Sequence, residues 1–123
     1  CNCMVDMLFS AYSEAFAAGR ASEPFLIAYA PATDKCSLVT HRLTRGEFLA
    51  QAQRAAGLLR SLGLRAGDCH THYFTANTAV DLVLRLASVM IGTVPVTINW
   101  DADTPERAVY KVAATASRVV LTD

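Results

Sequence analysis

Cys69-His70-Thr71-His72 places a thiol and two imidazoles within four residues, the side chains that hold zinc or act as nucleophile and base. In an extended strand His70, His72 and Phe74 point to one side, and Cys69, Thr71 and Tyr73 to the other. Cysteine and histidines therefore cannot share one ligand set. Two histidines at i and i+2 leave zinc short of one or two donors, and His41 is the only other histidine. The donor count favours a core strand with two partnered histidines over a metal site. Cys1-Asn2-Cys3 has soft ligands but no second pair at a matching distance. A Cys-His hydrolase would need a reactive thiolate, whereas Cys69 is expected to be buried in apolar company and inert. Phosphate loops of the forms GxGxxG or GxxxxGK[ST] are missing, and neither lysine, Lys35 or Lys111, sits beside glycine.

The elements that must position these residues follow from periodicity and caps. Met7, Leu8, Ala11, Tyr12, Ala15 and Phe16 recur at helical steps, predicting a helix from Met7 to Ala18. Phe25 to Tyr29 and Cys36 to His41 flank the turn Pro31-Ala32-Thr33-Asp34-Lys35 and read as a hairpin. Thr44-Arg45-Gly46-Glu47 is a capping box that opens a helix with Phe48, Leu49, Ala52, Ala55, Ala56, Leu59 and Leu62 inward, stopped by Gly63. Asn77 or Thr78 caps the next helix, with Val80, Val83, Leu84, Ala87 and Met90 buried and Gly92 its end. Thr93 to Ile98 and Arg118 to Thr122 read as strands covered on both faces. Between them Thr104-Pro105-Glu106 starts a helix whose inner face is Val109, Val112, Ala113 and Ala116.

Alternating helix and strand from Thr44 onward predicts an α/β fold: a parallel sheet flanked by helices, preceded by an N-terminal helix and a β-hairpin. The 123 residues suit one domain, with a lead-in over 1–24, a hairpin over 25–43 and the alternating part over 44–123.

Eleven basic residues balance eleven acidic ones, so no net field selects nucleic acid or an anionic membrane surface. The longest uncharged interior run, Leu86 to Trp100, is 15 residues, short of the roughly 20 that span a bilayer. The apolar stretch after Met4 contains Asp6 and Glu14 with no basic residue ahead of it, and does not read as a secretory signal. The irregularly spaced cysteines are expected to be thiols in a reducing, intracellular compartment, cytoplasm or organelle matrix. Hydrophobic residues reach 53% against 18% charged, which predicts faces that need more cover than this chain supplies.

In order, Leu43-Thr44, Glu47, the Ala55-Ala56/Leu59 stripe, Leu62-Gly63, Gly67-Asp68, Asn77, Gly92, Val96, Asn99, Pro105-Glu106, Tyr110 and the last strand resemble the N-terminal part of the adenylate-forming (AMP-binding) enzymes, especially acyl-CoA synthetases. The resemblance covers Leu26 to Asp123 and makes the chain resemble an incomplete piece of a larger adenylate-forming fold. His70 and His72 depart from it, standing where the family is apolar or variable.

The resemblance implies a parent ligase that turns a carboxylate and ATP into an acyl-adenylate and then a coenzyme A thioester, as in fatty acid metabolism. ATP, magnesium and CoA would be that parent's cofactors. Its phosphate loop, its Tyr-Gly-x-Thr-Glu segment, its ribose-binding aspartate and its catalytic lysine have no counterpart here, so these 123 residues alone are expected to hold no cofactor and to perform no adenylation. The remainder of the parent would be the chain's partner, bringing a small carboxylic acid and CoA. The alternative is a non-catalytic α/β interaction or scaffold module. Asn99, Trp100 and Ala102 lie in a loop at the C-terminal end of a strand, and the resemblance makes them candidates for a CoA or acyl channel.

Overall fold

The computed structural model describes residues 14–33 and 36–123. Most of the helix predicted from Met7 to Ala18 lies outside them, as do Asp34 and Lys35 of the hairpin turn. The described part of the lead-in is a turn followed by a single 3-10 turn, Ala18–Arg20.

Strands β1 (Pro24–Pro31) and β2 (Leu38–Thr44) form the predicted hairpin, antiparallel with Ala28 opposite His41. Thr44 ends β2 and caps helix α1 (Arg45–Ser61). Its hydroxyl accepts from the Glu47 amide at 3.2 Å and the Glu47 carboxylate accepts from the Thr44 amide at 2.8 Å. The lead-in clamps this helix start through the Gly46 amide, which donates to the Ala21 carbonyl at 2.9 Å. A Cβ on Gly46 would come within 3.1 Å of the Ala21 Cβ, so only glycine allows the approach without a shift.

After the turn Arg65 to Asp68 come β3 (Cys69–His72), helix α2 (Ala79–Ile91), β4 (Val94–Thr97), helix α3 (Pro105–Ala114) and β5 (Val120–Leu121). Thr78 caps α2, and Gly92, at φ 74°, closes it by donating to the Ser88 carbonyl. The three strands are parallel in the order β4-β3-β5, with His72 opposite Thr97 on one side and Leu121 on the other.

Helices α1 and α2 cover one face of this sheet. Ala56, Leu59, Phe74, Leu84, Ala87 and Ile91 pack there, and a second cluster of Phe48, Ala52, Val83 and Leu86 joins the helices to Leu26 and Leu43 of the hairpin. Helix α3 lies against the opposite face, where Ala108 and Val112 flank a groove with Thr71, Tyr73 and Val120. The chain reverses direction after β4 to place β5 beyond β3, and right-handed crossovers then put the two connecting helices on opposite faces.

The predicted cover is incomplete. Among the described residues β4 and β5 are edges, each with one neighbouring strand, and Val94 and Val120 are exposed on them. Of the stripe predicted for α3, Val109 is 68% exposed, Ala113 is exposed, and Ala116 stands past the helix end in a left-handed conformation at φ 48°. Ala108 is the residue α3 buries. Leu62 and Val80 are also exposed, each at a helix end that extends past its cover. Cys69 is half-buried, not enclosed, because its face of β3 is the thinly covered one.

Candidate functional site

The strand order fixes where a ligand site can form. β3 leads into a helix on one face and its neighbour β4 into a helix on the other, so the carboxyl ends of these two strands diverge into a crevice, the usual ligand position in open parallel sheets. A cleft of about 400 Å³ occupies that crevice. Its floor is His72 and Phe74 from the exit of β3 with Thr97 and Ile98 from the exit of β4. Leu26 to Tyr29 of β1 form one wall, the first turn of α2 another, and Trp100 the rim. Apolar walls with Asn77, Thr78 and Asp81 at intervals suit a largely apolar ligand with a few polar groups.

Beneath the floor the two histidines of β3 form a buried chain with α2. His72 Nδ1 lies 2.6 Å from Asp81 Oδ1, His72 Nε2 lies 3.2 Å from His70 Nδ1, and His70 Nε2 lies 3.0 Å from Ser88 Oγ and 3.3 Å from Thr93 Oγ1. Arg85 completes it, Nε donating to Asp81 Oδ2 at 2.8 Å and a terminal nitrogen to Thr97 Oγ1. His70 is 0% exposed and His72 1%. Burial, aided by the neighbouring His72, pushes the His70 imidazole down to about 4. Burial also lowers His72, outweighing the pull of Asp81 in the other direction. Asp81 is driven up by its burial but held below the ordinary carboxylate range by Arg85 and His72.

All four ring nitrogens are thus engaged inside the protein. Neither imidazole has a free nitrogen to offer as a base in the cleft, and neither is free to bind a metal. His41 lies exposed on the hairpin. Among the described residues no three His, Cys, Asp or Glu side chains converge as a metal set.

The loop after β4 is organised from within. The Asn99 amide donates to Asp103 Oδ2 at 2.8 Å, the Asp101 amide donates to the Asn99 side-chain oxygen at 3.0 Å, and the amides of Ala102 and Asp103 donate to the Asn99 carbonyl. Asp103 also receives Lys111 and Arg107, and hydrogen bonds from Lys111 and the Asn99 amide hold its carboxyl below the usual range. Its charge is turned into the loop and neutralised there. Of the three loop candidates the structure brings Trp100 to the cleft, half exposed, while Asn99 and Ala102 close the loop behind it. Arg118 acts as a cap, donating to the Gly63 carbonyl at 3.2 Å and to Asp68 at 2.8 Å.

Sequence reasoning did not find Asp81, Arg85 and Ser88. A signal existed: at i, i+4 and i+7 they form one polar line along an otherwise apolar helix, and such a line requires polar partners on the element it faces.

No protein family model matches the sequence, and no curated protein matches it. Solved structures do. A benzoate CoA ligase from Burkholderia xenovorans LB400 matches at TM-score 0.71 and 28% identity over 93% of this chain and 21% of its own. A fatty acyl CoA synthetase from Mycobacterium tuberculosis matches at TM-score 0.62 and 28% identity over 67% of this chain and 16% of its own. An O-succinylbenzoate coenzyme A synthetase from Bacillus subtilis, in complex with ATP and a magnesium ion, shares the fold at TM-score 0.63, with 23% identity over 68% of this chain and 22% of its own. The chain spans about a fifth of the length of these enzymes.

Proposed function

From the premise that this chain has the fold of a portion of the acyl- and aryl-CoA ligases, the adenylate-forming enzymes, we propose that it is the leading α/β layer of an ATP-dependent acyl-CoA synthetase-like ligase. In this reading the parent converts a carboxylic acid and ATP to an acyl-adenylate, then to a CoA thioester, with magnesium. The chain alone catalyses neither step. The observation that carries the reading is that the likeness to a benzoate CoA ligase extends over nearly the whole chain. The ordered match of caps, glycines and turns along the sequence supports the same family independently.

The contribution assigned to this layer is one wall of a substrate channel. Trp100 and Tyr29 are both among the residues that line the cleft, which supports a role for the Trp100 ring in lining an acyl or pantetheine chain. Asn99 and Ala102 support it by closing the loop. The test is carboxylate-dependent exchange of pyrophosphate into ATP, and CoA-dependent release of AMP, by the intact parent protein. Activity in the parent and none in residues 1–123 alone is the expected pair of results. In the parent, Trp100→Ala should raise KM for the acid or CoA more than it lowers kcat. A parent with no exchange on any of a panel of aryl, short-chain and long-chain acids would point instead to an interaction module.

A further inference from the structure

Counting protons along the buried chain fixes what it can do. Asp81, ionised, only accepts, so His72 Nδ1 carries a proton. With both rings neutral, His72 Nε2 is then bare and His70 Nδ1 must donate to it, which leaves His70 Nε2 bare to accept from the hydroxyls of Ser88 and Thr93. Every bond points toward Asp81.

The Ser88 hydroxyl has a second acceptor in reach, the Leu84 carbonyl at 2.7 Å. One added proton can therefore be accommodated with the loss of a single contact, the 3.3 Å donation from Thr93 Oγ1. It enters at His70 Nε2, which now donates to Ser88 Oγ while the Ser88 proton turns to Leu84. The proton on His70 Nδ1 passes to His72 Nε2. The charge then rests on His72 against Asp81, and His70 remains neutral with its tautomer reversed. A second proton has no such place. It would sit on His70 Nδ1 facing the proton on His72 Nε2 across 3.2 Å, with no acceptor between them.

The charged groups facing the pair are Asp81 and Arg85 of α2. Thr93, just before β4, presents its hydroxyl, and β4 presents the Thr97 hydroxyl that binds Arg85. Across the cleft β1 contributes Leu26 to Tyr29, none of them charged. α1 adds the apolar Ala56 and Leu59 to the same core, and Cys69 of β3 and Tyr73 just past it face away.

We propose that Asp81, His72, His70 and Ser88 are a two-stage, proton-operated catch that fastens α2 to β3 and so holds one wall of the cleft. The first proton reverses His70 and leaves the catch closed; the second sets two charged rings face to face in the buried core and so loosens the packing of α2 on β3 around them. Thr78, Ala79, Asp81 and Leu82 line the cleft, so the wall they form is the part of α2 that the catch holds. This device does not depend on the ligase reading.

The test is imidazole ¹⁵N–¹H correlation spectroscopy on histidine-labelled protein from pH 8 to pH 4. At pH 8 both rings should show protonated Nδ1 and bare Nε2. On acidification His72 should become doubly protonated while His70 inverts to the Nε2–H form without gaining charge. Hydrogen-exchange protection at Val83, Leu84 and Arg85 should fall by about tenfold only at the later step. Asp81→Asn should move the His72 step down by about one pH unit or more. His70 gaining charge in the same step as His72, or keeping its Nδ1 proton throughout, would overturn the proposal. These signals come from the unaltered protein, so the proposal stands or falls even if the variant does not fold.

Discussion

The carboxylate of Asp103 accepts the backbone amide of Asn99 at 2.8 Å, and this bond closes the loop that carries Trp100 to the cleft. The same carboxylate is tied to α3 through Lys111 and Arg107, and the amides of Ala102 and Asp103 donate to the Asn99 carbonyl. Asp103→Ala removes the acceptor shared by all three donors. Trp100 is the sole tryptophan, so its fluorescence reports the loop directly. The expected outcome is a red-shifted emission maximum and faster acrylamide quenching than in the parent sequence, with Asp103→Asn showing a smaller change because it keeps an acceptor oxygen. An unchanged spectrum in Asp103→Ala would mean that the loop holds its shape without this bond.

Stability should depend on pH in a window set by the buried histidines. His70 takes up a proton at about 4 when folded against an ordinary value of 6.5. Between those values the unfolded chain binds more protons, so the contribution is complete above pH 6.5 and is lost as pH falls toward 4. The difference corresponds to about 3 kcal/mol, and the lowered His72 acts in the same direction. Asp81, whose folded value is depressed, adds its own loss below the ordinary carboxylate range. Urea unfolding at pH 7.5, 5.5 and 4.5 should show the midpoint falling steadily; a midpoint flat across that range would contradict the buried, neutral pair.

The capping box offers a local test. Thr44→Ala leaves the Glu47 amide without its acceptor at the start of α1 and should cost about 1 kcal/mol in urea unfolding with an unchanged slope. Thr44→Ser retains the hydroxyl and should cost far less.

These elements were legible because their signals are local. Thr44-x-x-Glu47, Thr104-Pro105 and Gly92 act on atoms within one turn, so sequence spacing specifies them, and each stands where it was expected. The parallel sheet followed from the alternation of elements together with crossover handedness, whereas the strand order β4-β3-β5 was not legible in the sequence. Depth of burial did not follow, because it depends on what lies across the sheet. Val120 has the pattern of an inner residue, yet among the described residues its face of the sheet is covered by α3 alone, and Val109 of α3 itself is 68% exposed. The histidine partners were missed for the converse reason. His70 and Ser88 are 18 residues apart, and only the pairing of a strand face with a helix face brings them within 3.0 Å.

That unequal cover leads to a last prediction, which separates core from prospective interface. Leu59 is 0% exposed between α1, α2 and the sheet, and Leu59→Ala should cost about 2–5 kcal/mol in this chain. Val109 has the same apolar character but is 68% exposed, so Val109→Ser should change the stability of the chain by no more than about 0.5 kcal/mol. If the chain is one layer of a longer ligase, the face bearing Val109, Tyr110 and Val120 is where further protein would pack, and the same Val109→Ser substitution in the intact parent should cost about 1–3 kcal/mol. Unfolding midpoints for both substitutions in both contexts decide the matter. A Val109 effect that is small in the chain and large in the parent marks a face built to be covered. Equal small effects in both would mean that α3 is an outer surface of the finished protein, and that the apolar excess of the sequence is covered elsewhere.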